Sequence, residues 1–118
     1  MVEAFYRGIR GCLIEIDSDV VNKIVLQWKQ KFQAADANSG RIFIIGNGGS
    51  CAIAEHISTD LNKRCKVKAH TLSNNSLATC LANDYGYENA LEQWLQINNI
   101  NELDYLVAIS SSGKTPNI

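Results

Sequence analysis

The sequence predicts an α/β protein with a parallel sheet, because short apolar runs alternate with segments of helical periodicity. The clearest apolar run covers 41–45, is rich in β-branched residues and is typical of a buried parallel strand. A glycine-rich loop and then an apolar stripe of helical spacing follow it directly. We therefore expect strands joined by helices, with ligands bound at the carboxyl ends of the strands.

The composition of the 118 residues is that of one globular domain, with 46% hydrophobic residues, 19% charged residues and a net charge of −1. This charge argues against nucleic acid or an anionic membrane as a partner. The four cysteines show no C-x-x-C spacing and we expect no signal peptide or membrane span, so a reduced, cytoplasmic protein is predicted. Cys51 begins the loop helix, where a thiol pKa could be lowered, but we expect a small packing residue there.

Two amphipathic helices are predicted in residues 1–37, before the first strand. Their apolar positions recur at helical spacing, at Phe5, Ile9, Cys12, Leu13 and Ile16, and again at Val21, Ile24, Val25, Trp28 and Phe32. Segment 17–19 offers N-caps for the second helix, and segment 38–40 closes it. These wide apolar faces suit packing on the sheet or on a partner subunit, and we expect Trp28 and Trp94 to be core residues.

The elements that follow the first strand are predicted from the same periodicities. They are a helix at 50–64, a weaker strand at 67–73, a helix at 74–83, a turn at 83–87, a helix at 88–97 and a strand at 105–109. Thr115 and Pro116 have the types of an N-cap and a first helical residue, so a further helix is predicted there. The strand at 105–109 is left with an unpaired edge, so we expect a fragment of a longer product that is marginally stable alone.

Two polar loops follow strands and should lie at the same edge of the sheet: GNGGS at 46–50 and SSSGKTPN at 110–117. The glycines let backbone N–H groups approach an oxygen-rich ligand closely, and a helix N-terminus adds donors and positive dipole. Together the loops would clamp one phosphate. The alternative for the first is a tight turn without a ligand, and for the second a polar loop with a helix cap.

His56 and Asp60 are spaced i, i+4 and so face the same way from the loop helix. A hydrogen-bonded helix histidine is the alternative, but the neighbouring loop favours a functional pair. Two ligands do not close a tetrahedral zinc site. Asp84 is equally consistent with a turn-forming role and with ligand contact. His70 has no assigned role. The basic run at 63–68 is interpreted as a solvated helix end rather than an aid to an anionic ligand.

Four blocks resemble the SIS (sugar isomerase) domain family in order and spacing, and within it the phosphoheptose isomerases. They are GNGGS at 46–50, His56 with Asp60, NDYGY at 83–87 and SSSGKTPN at 110–117. The resemblance covers essentially the whole chain, as the N-terminal portion of such a protein. It implies a three-layer α/β/α fold with a flavodoxin-like parallel sheet of about three strands, preceded by helices. Residues 1–118 are then a single partial domain, with helices in 1–37 and the first part of the core in 41–118.

The resemblance also implies a site and an activity. Family members bind a sugar phosphate, and phosphoheptose isomerases are expected to be homotetramers that convert sedoheptulose 7-phosphate for lipopolysaccharide or capsule heptose. By position, Ser110, Ser112 and Thr115 would hold the phosphate and Ser111 would add backbone contacts. The remaining ligand contacts would come from Asn47, Gly48, Gly49, Ser50, Asp60, Arg64, Asn83 and Asp84. The phosphate clamp itself requires no cofactor.

His56 and Asp60 match the family's catalytic pair, which in some members also binds zinc. The family's usual acid is a glutamate, and here it is the shorter Asp60. A second acid–base group comes in the family from a late histidine preceded by a glutamine, a region without a match in these residues. We therefore expect the ligand architecture here but no turnover by this chain alone. The alternative function is a non-catalytic SIS module that senses sugar phosphates or docks on another protein.

Overall fold

A computed structural model describes residues 17–118 of the chain. The chain divides into two compact units, 1–31 and 32–118, and the second carries the sheet. The first predicted helix, with its apolar positions from Phe5 to Ile16, lies outside the described residues. Among residues 17–118, no helix combines the length and the apolar character that crossing a membrane requires.

Helix α1 covers Ser18–Ala37 and begins and ends where the sequence predicts. The Asp17 carboxylate accepts the N–H groups of Asp19 at 2.8 Å and Val20 at 3.3 Å, which satisfies two free donors of the first turn. The helix closes through a hydrogen bond from Gly40 N–H to the Ala35 carbonyl at 2.8 Å. The prediction of Trp28 as a core residue is wrong, because its side chain is 40% exposed. Helical spacing identifies an apolar face but does not say what covers it.

Three parallel strands form the sheet, in the order β2-β1-β3. They are β1 (Ile42–Gly46), β2 (Ala69–His70) and β3 (Tyr105–Ile109). β1 and β3 pair along their whole length, from Ile42 opposite Tyr105 to Gly46 opposite Ile109. Among the described residues β3 pairs with β1 alone, so it is the edge strand that the sequence predicts.

β2 is shorter than the strand predicted at 67–73, since its ladder with β1 covers two residues. On the edge away from β1, the Asn62 amide donates to the Ala69 carbonyl at 2.6 Å and accepts the Ala69 N–H at 3.3 Å. A side chain thus satisfies the outward backbone groups of Ala69. His70 lies in this strand and stacks on Phe43 with ring centroids 5.4 Å apart, and burial lowers its pKa.

The other helices are α2 (Gly49–Asp60), α3 (Asn75–Tyr85) and α4 (Ala90–Ile97), which confirms the predicted helix types with shifted bounds. α2 continues into one π-helical turn at Leu61–Cys65. At Thr115 and Pro116, where a helix start is predicted, residues 115–118 form a turn in which the Ile118 N–H bonds the Thr115 carbonyl at 3.1 Å. The helix itself stays a prediction, since the first four-residue bond to Thr115 would need residue 119.

The core has two halves because alternate β1 side chains face opposite sides of the sheet. Ile42 and Ile44 pack with Ala54 of α2 and with Val107 of β3. Phe43 and Ile45 pack on the other side, with Leu81 of α3 and with Leu91 and Trp94 of α4. Trp94 is 5% exposed, as predicted for a core residue. Helices therefore cover both faces of the sheet, which confirms the three-layer α/β/α architecture.

Arg41 and Asp104 fasten β1 and β3 at the amino-terminal edge of the sheet. The guanidinium donates to both carboxylate oxygens, from Nε at 3.1 Å and from Nη2 at 2.7 Å, and the Arg41 backbone N–H adds a bond of 2.7 Å. The Asp104 side chain is 1% exposed. The bonds from Arg41 lower the pKa of Asp104, although burial opposes them. This pair is called the Arg41–Asp104 clasp below.

Candidate functional site

The loop after β1 brings a helix N-terminus directly onto the end of the strand. Gly48 has a φ of +53°, a conformation that glycine adopts without strain. A Cβ atom on Gly46 would lie 2.7 Å from the Ser50 carbonyl carbon, so only glycine fits there. No side chain of the described residues caps α2, and its N-terminal dipole points toward the end of the strand. The Ser50 and Cys51 N–H groups bond the Asn47 and Gly48 carbonyls, at 2.9 and 3.0 Å, so an anion would gain mainly from the dipole and the Ser50 hydroxyl.

The loop after β3 gathers three hydroxyl groups. Thr115 Oγ1 lies 3.4 Å from Ser110 Oγ and 3.4 Å from Ser112 Oγ. Each serine oxygen is also oriented by the backbone, since Ser110 Oγ accepts the Gly113 N–H at 3.1 Å and Ser112 Oγ accepts the Lys114 N–H at 3.2 Å. The hydroxyls of the three residues predicted to hold a phosphate thus lie close together.

A pair of asparagine side chains connects the two loops. Asn47 Nδ2 donates to Asn117 Oδ1 at 2.7 Å, and Asn117 Nδ2 donates to Asn47 Oδ1 at 3.2 Å. Tyr87 Oη donates to the same Asn47 oxygen at 2.9 Å. The sequence predicts no role for Asn117 or Tyr87, although both lie in blocks that carry the resemblance. Their partners are 70 and 40 residues away along the chain, a separation at which periodicity carries no signal.

Two cavities adjoin this asparagine pair. A polar cleft of about 100 Å³, called the serine cleft below, is lined by Asn47, Ser50, Ile109, Ser110, Ser111, Thr115 and Ile118. A more apolar pocket of about 170 Å³ also includes Asn47 in its lining, together with Gly48, Cys51, Tyr87 and Asn117. The structure therefore brings together Asn47 and Ser50 from the first loop with Ser110, Ser111 and Thr115 from the second. An oxyanion bound in the serine cleft would meet hydroxyl donors and a helix N-terminus together.

His56, Asp60 and Arg64 form a ladder along the outer face of α2 and the π-helical turn. His56 Nε2 lies 3.4 Å from Asp60 Oδ2, and Arg64 Nε lies 3.2 Å from Asp60 Oδ1. The i, i+4 prediction of a shared face is confirmed. The ladder is solvated, with side chains of His56 and Asp60 81% and 42% exposed. It lies outside the lining of both cavities, and His56 is about 10 Å along the helix axis from Gly49.

The fit of this ladder to zinc can be judged from its donors. His56 and Asp60 supply one nitrogen and one carboxylate, whereas protein zinc sites use three or four protein ligands. Residues 17–118 contain no group of three or more histidine, cysteine, aspartate or glutamate side chains able to hold a metal ion. The described residues therefore do not make a zinc site by themselves.

Asn83 and Asp84 lie near the end of α3, away from the lining of both cavities. Asn83 Nδ2 donates to Asp84 Oδ1 at 3.0 Å, and Cys80 Sγ donates to Asp84 Oδ2 at 3.5 Å. Both Asp84 contacts are to side chains, so the turn-forming alternative is not seen. Gly48 and Gly49 are open, since a Cβ atom on either would meet nothing within 4 Å.

Cys51 has a raised pKa, not the lowered one that its place at a helix start could give. Partial burial raises the pKa of the thiol, and the nearby Glu55 carboxylate adds to the effect. The prediction of a packing residue agrees with its place in the wall of the apolar pocket.

Comparison with known proteins places these features in a family. The SIS domain family matches residues 25–118. A phosphoheptose isomerase of Helicobacter pylori (strain HPAG1) is 38% identical over 87 residues, which are 69% of this chain and 45% of that protein. A phosphoheptose isomerase of Bordetella avium (strain 197N) is 40% identical over 92 residues, which are 72% of this chain and 46% of that protein. The chain spans a little under half the length of these curated relatives.

A solved structure matches the fold over nearly the whole chain. The structure of phosphoheptose isomerase GmhA from Neisseria gonorrhoeae superposes with a TM-score of 0.81 at 26% sequence identity. The match covers 98% of this chain and 62% of that one. The helices and the three-stranded parallel sheet are thus shared with that protein.

Proposed function

Because the chain belongs to the SIS domain family, we propose that it is the sugar-phosphate-binding part of a phosphoheptose isomerase. The observation that carries the proposal is the convergence of Ser110, Ser112 and Thr115 hydroxyls beside the uncapped N-terminus of α2. Hydroxyl donors, backbone N–H groups and a helix dipole are the groups that bind phosphate oxygens in water. The phosphate is held in the serine cleft between the two loops.

The proposed substrate is sedoheptulose 7-phosphate, and the proposed reaction is its isomerisation to a heptose 7-phosphate. A base removes the proton from the carbon next to the carbonyl while an acid gives a proton to the carbonyl oxygen, and an enediol forms. The carbon-bound proton then returns to the former carbonyl carbon as the hydroxyl on the neighbouring carbon loses its proton and becomes the new carbonyl. Asp60 is the proposed base and His56, 3.4 Å away, the group that orients it or donates to the oxygen. Arg64, Asn83 and Asp84 are proposed to meet sugar hydroxyls, and Gly48 and Gly49 to admit the ligand. No step uses zinc.

The complete protein is proposed to be a cytoplasmic homotetramer that supplies heptose for lipopolysaccharide or capsule. This part of the proposal rests on the family resemblance, and the curated relatives add the name phosphoheptose isomerase. The family resemblance implies a second acid–base histidine that no residue of 1–118 matches. Catalysis is accordingly assigned to the complete protein, and phosphate binding to the residues described here.

A second candidate function is a non-catalytic SIS module that binds a sugar phosphate as a signal. It is favoured by the state of Asp60, whose two oxygens face His56 and Arg64 rather than a cavity. Both oxygens of the carboxylate are thus engaged by neighbouring side chains of the same helical segment. In this alternative the serine cleft binds the same ligand but no proton is abstracted.

Titration calorimetry with sedoheptulose 7-phosphate tests the binding proposal. Ser110→Ala removes a hydroxyl that faces the cleft, and we expect it to weaken binding about tenfold or more, since a hydrogen bond to a charged group contributes about 1.5–3 kcal/mol. Ser76→Ala, at an exposed serine of α3, is the matched control and should bind like the parent chain. Equal affinity of parent and Ser110→Ala would contradict the proposed site.

Proton exchange in D2O separates the isomerase from the module. An isomerase site exchanges the proton next to the carbonyl for deuterium, which NMR detects, and Asp60→Asn should abolish that exchange. Glu55→Gln, on the same helix and also exposed, is the control. Ligand binding without any exchange, in this chain and in one extended to the length of its relatives, would favour the module.

A further inference from the structure

We propose that Asn117 and Tyr87 are positioning residues that hold Asn47, and with it the loop 46–50, at a fixed distance from the serine loop 110–117. The inference deepens the proposed function and rests on it. It assigns a task to two side chains outside the phosphate grip, through their hydrogen bonds to a residue that lines the serine cleft.

The hydrogen bonds to Asn47 fix its amide in one orientation. Its oxygen accepts two bonds, at 2.9 Å from Tyr87 and 3.2 Å from Asn117, and its nitrogen donates one at 2.7 Å to Asn117. Two amides that exchange both bonds define a plane as well as a distance. Asn47 therefore keeps at most one N–H free, and that donor is the group it has available for a ligand.

The bridge matters because the two halves of the clamp come from different strands. The helix N-terminus follows β1, while the hydroxyls follow β3. A phosphate contacts both halves only when their spacing matches its size, and a site that is arranged before binding loses less entropy when the ligand arrives. Beyond the last paired residues, Gly46 and Ile109, the Asn47–Asn117 pair is the side-chain bridge between these loops among the described residues.

Removal of the Tyr87 hydroxyl distinguishes a role in positioning Asn47 from a role in stabilising the fold. Its side chain is 61% exposed, so its hydroxyl exchanges a bond to water for a bond to Asn47 with little net gain in folding stability. Removal of that hydroxyl should leave the midpoint of thermal unfolding near that of the parent chain. Its effect should instead appear in the affinity of the loop that it positions.

The experiment measures the affinity of the full 118-residue chain for inorganic phosphate and for sedoheptulose 7-phosphate by calorimetry, together with the thermal midpoint. Tyr87→Phe and Asn117→Ala should each weaken binding about three- to tenfold, the range for one or two hydrogen bonds. Tyr85→Phe is the control, since Tyr85 is also exposed and its hydroxyl bonds to neither loop among the described residues. Asn117→Ala should have no further effect in an Asn47→Ala background, because Asn117 acts through Asn47.

Each outcome decides between the inference and the function on which it rests. Parent-like affinity in Tyr87→Phe and Asn117→Ala, with binding lost in Ser110→Ala, would overturn the positioning role and leave the proposed function standing. No binding by the parent chain would count against the function. The bridge is then judged by NMR of the ligand-free chain, where Tyr87→Phe must shift the side-chain amide signals of Asn47 and Asn117. Unchanged amide signals would overturn the inference.

Discussion

The two edges of the sheet are built on opposite principles, although the same two strands, β1 and β3, reach both. At the amino-terminal edge, in the Arg41–Asp104 clasp, the carboxylate is 1% exposed and accepts two hydrogen bonds from the guanidinium. At the carboxyl edge the hydroxyls of the serine loop approach one another only at 3.4 Å and line an open cleft. Groups with unused hydrogen-bonding capacity are those that a ligand can engage, so binding is assigned to the edge that the protein leaves incompletely paired.

Asp104→Ala should produce the largest loss of stability, since it leaves the partly buried guanidinium of Arg41 without its carboxylate. The guanidinium is 26% exposed and keeps its bonds to the Asn98 and Asn99 carbonyls, so the expected loss is about 1.5–3 kcal/mol of unfolding free energy, that of a charged hydrogen bond. Urea unfolding followed by circular dichroism measures the change. Glu102→Ala, at an exposed residue of the same loop, should change it little. A loss below about 1 kcal/mol for Asp104→Ala would mean that the clasp does not hold this edge.

The pH dependence of the same edge follows from the lowered pKa of Asp104. A carboxylate whose pKa is lower in the folded state stabilises the fold above its unfolded pKa of about 3.9, and that stabilisation disappears as the pH falls through the folded pKa. The difference in unfolding free energy between the parent chain and Asp104→Asn should therefore be constant near neutral pH and shrink below about pH 4. If the difference in unfolding free energy between the two chains stayed constant down to the pH of acid unfolding, the assignment of a charged Asp104 would be contradicted.

Gly46→Ala tests the packing of the loop and α2 at the carboxyl edge of the sheet. The added Cβ atom would lie 2.7 Å from the Ser50 backbone, so the start of α2 must move. Overpacking of this kind costs about 1–3 kcal/mol, and phosphate affinity should fall with it because the helix N-terminus is displaced. Gly49→Ala is the control for unfolding, since its Cβ would meet nothing within 4 Å. Equal unfolding free energies of the two variants would remove the reason given for Gly46.

The smallest effect is expected on the surface ladder of α2. Arg64→Ala removes an ion pair of 3.2 Å between largely exposed side chains. Such pairs contribute about 0.3–0.5 kcal/mol, and less at high salt. Thermal unfolding at low and high ionic strength measures this difference. A larger loss, insensitive to salt, would show that Asp60 is committed to a structural pair and would count against its use as a base.

Local patterns in the sequence were sufficient to predict strand β1, the contact between His56 and Asp60, and the shared edge of the two loops. The apolar run before Gly46 predicts β1, the four-residue spacing of His56 and Asp60 predicts their contact, and two loops after parallel strands are expected at one edge. In each of these cases the chain geometry over a few residues, or the direction of parallel strands, decides the outcome.

Features that depend on distant partners could not be predicted in this way. Trp28 and Trp94 have similar helical contexts, yet one is exposed and the other buried. The outer edge of β2 is covered by an amide from Asn62, and the bridge between the loops joins Asn47 to Asn117 across 70 residues. None of these pairings has a periodic signal, because each depends on how the elements pack.

The central claim is that the carboxyl edge of the sheet is a sugar-phosphate clamp. Titration of the ¹⁵N-labelled chain with sedoheptulose 7-phosphate, followed by NMR, tests it most directly. The account predicts that backbone signals shift in 46–50 and 110–117, that those around the Arg41–Asp104 clasp stay in place, and that Ser110→Ala suppresses the shifts. Shifts spread evenly over the surface, or none at a ligand concentration that saturates a solved relative, would contradict it.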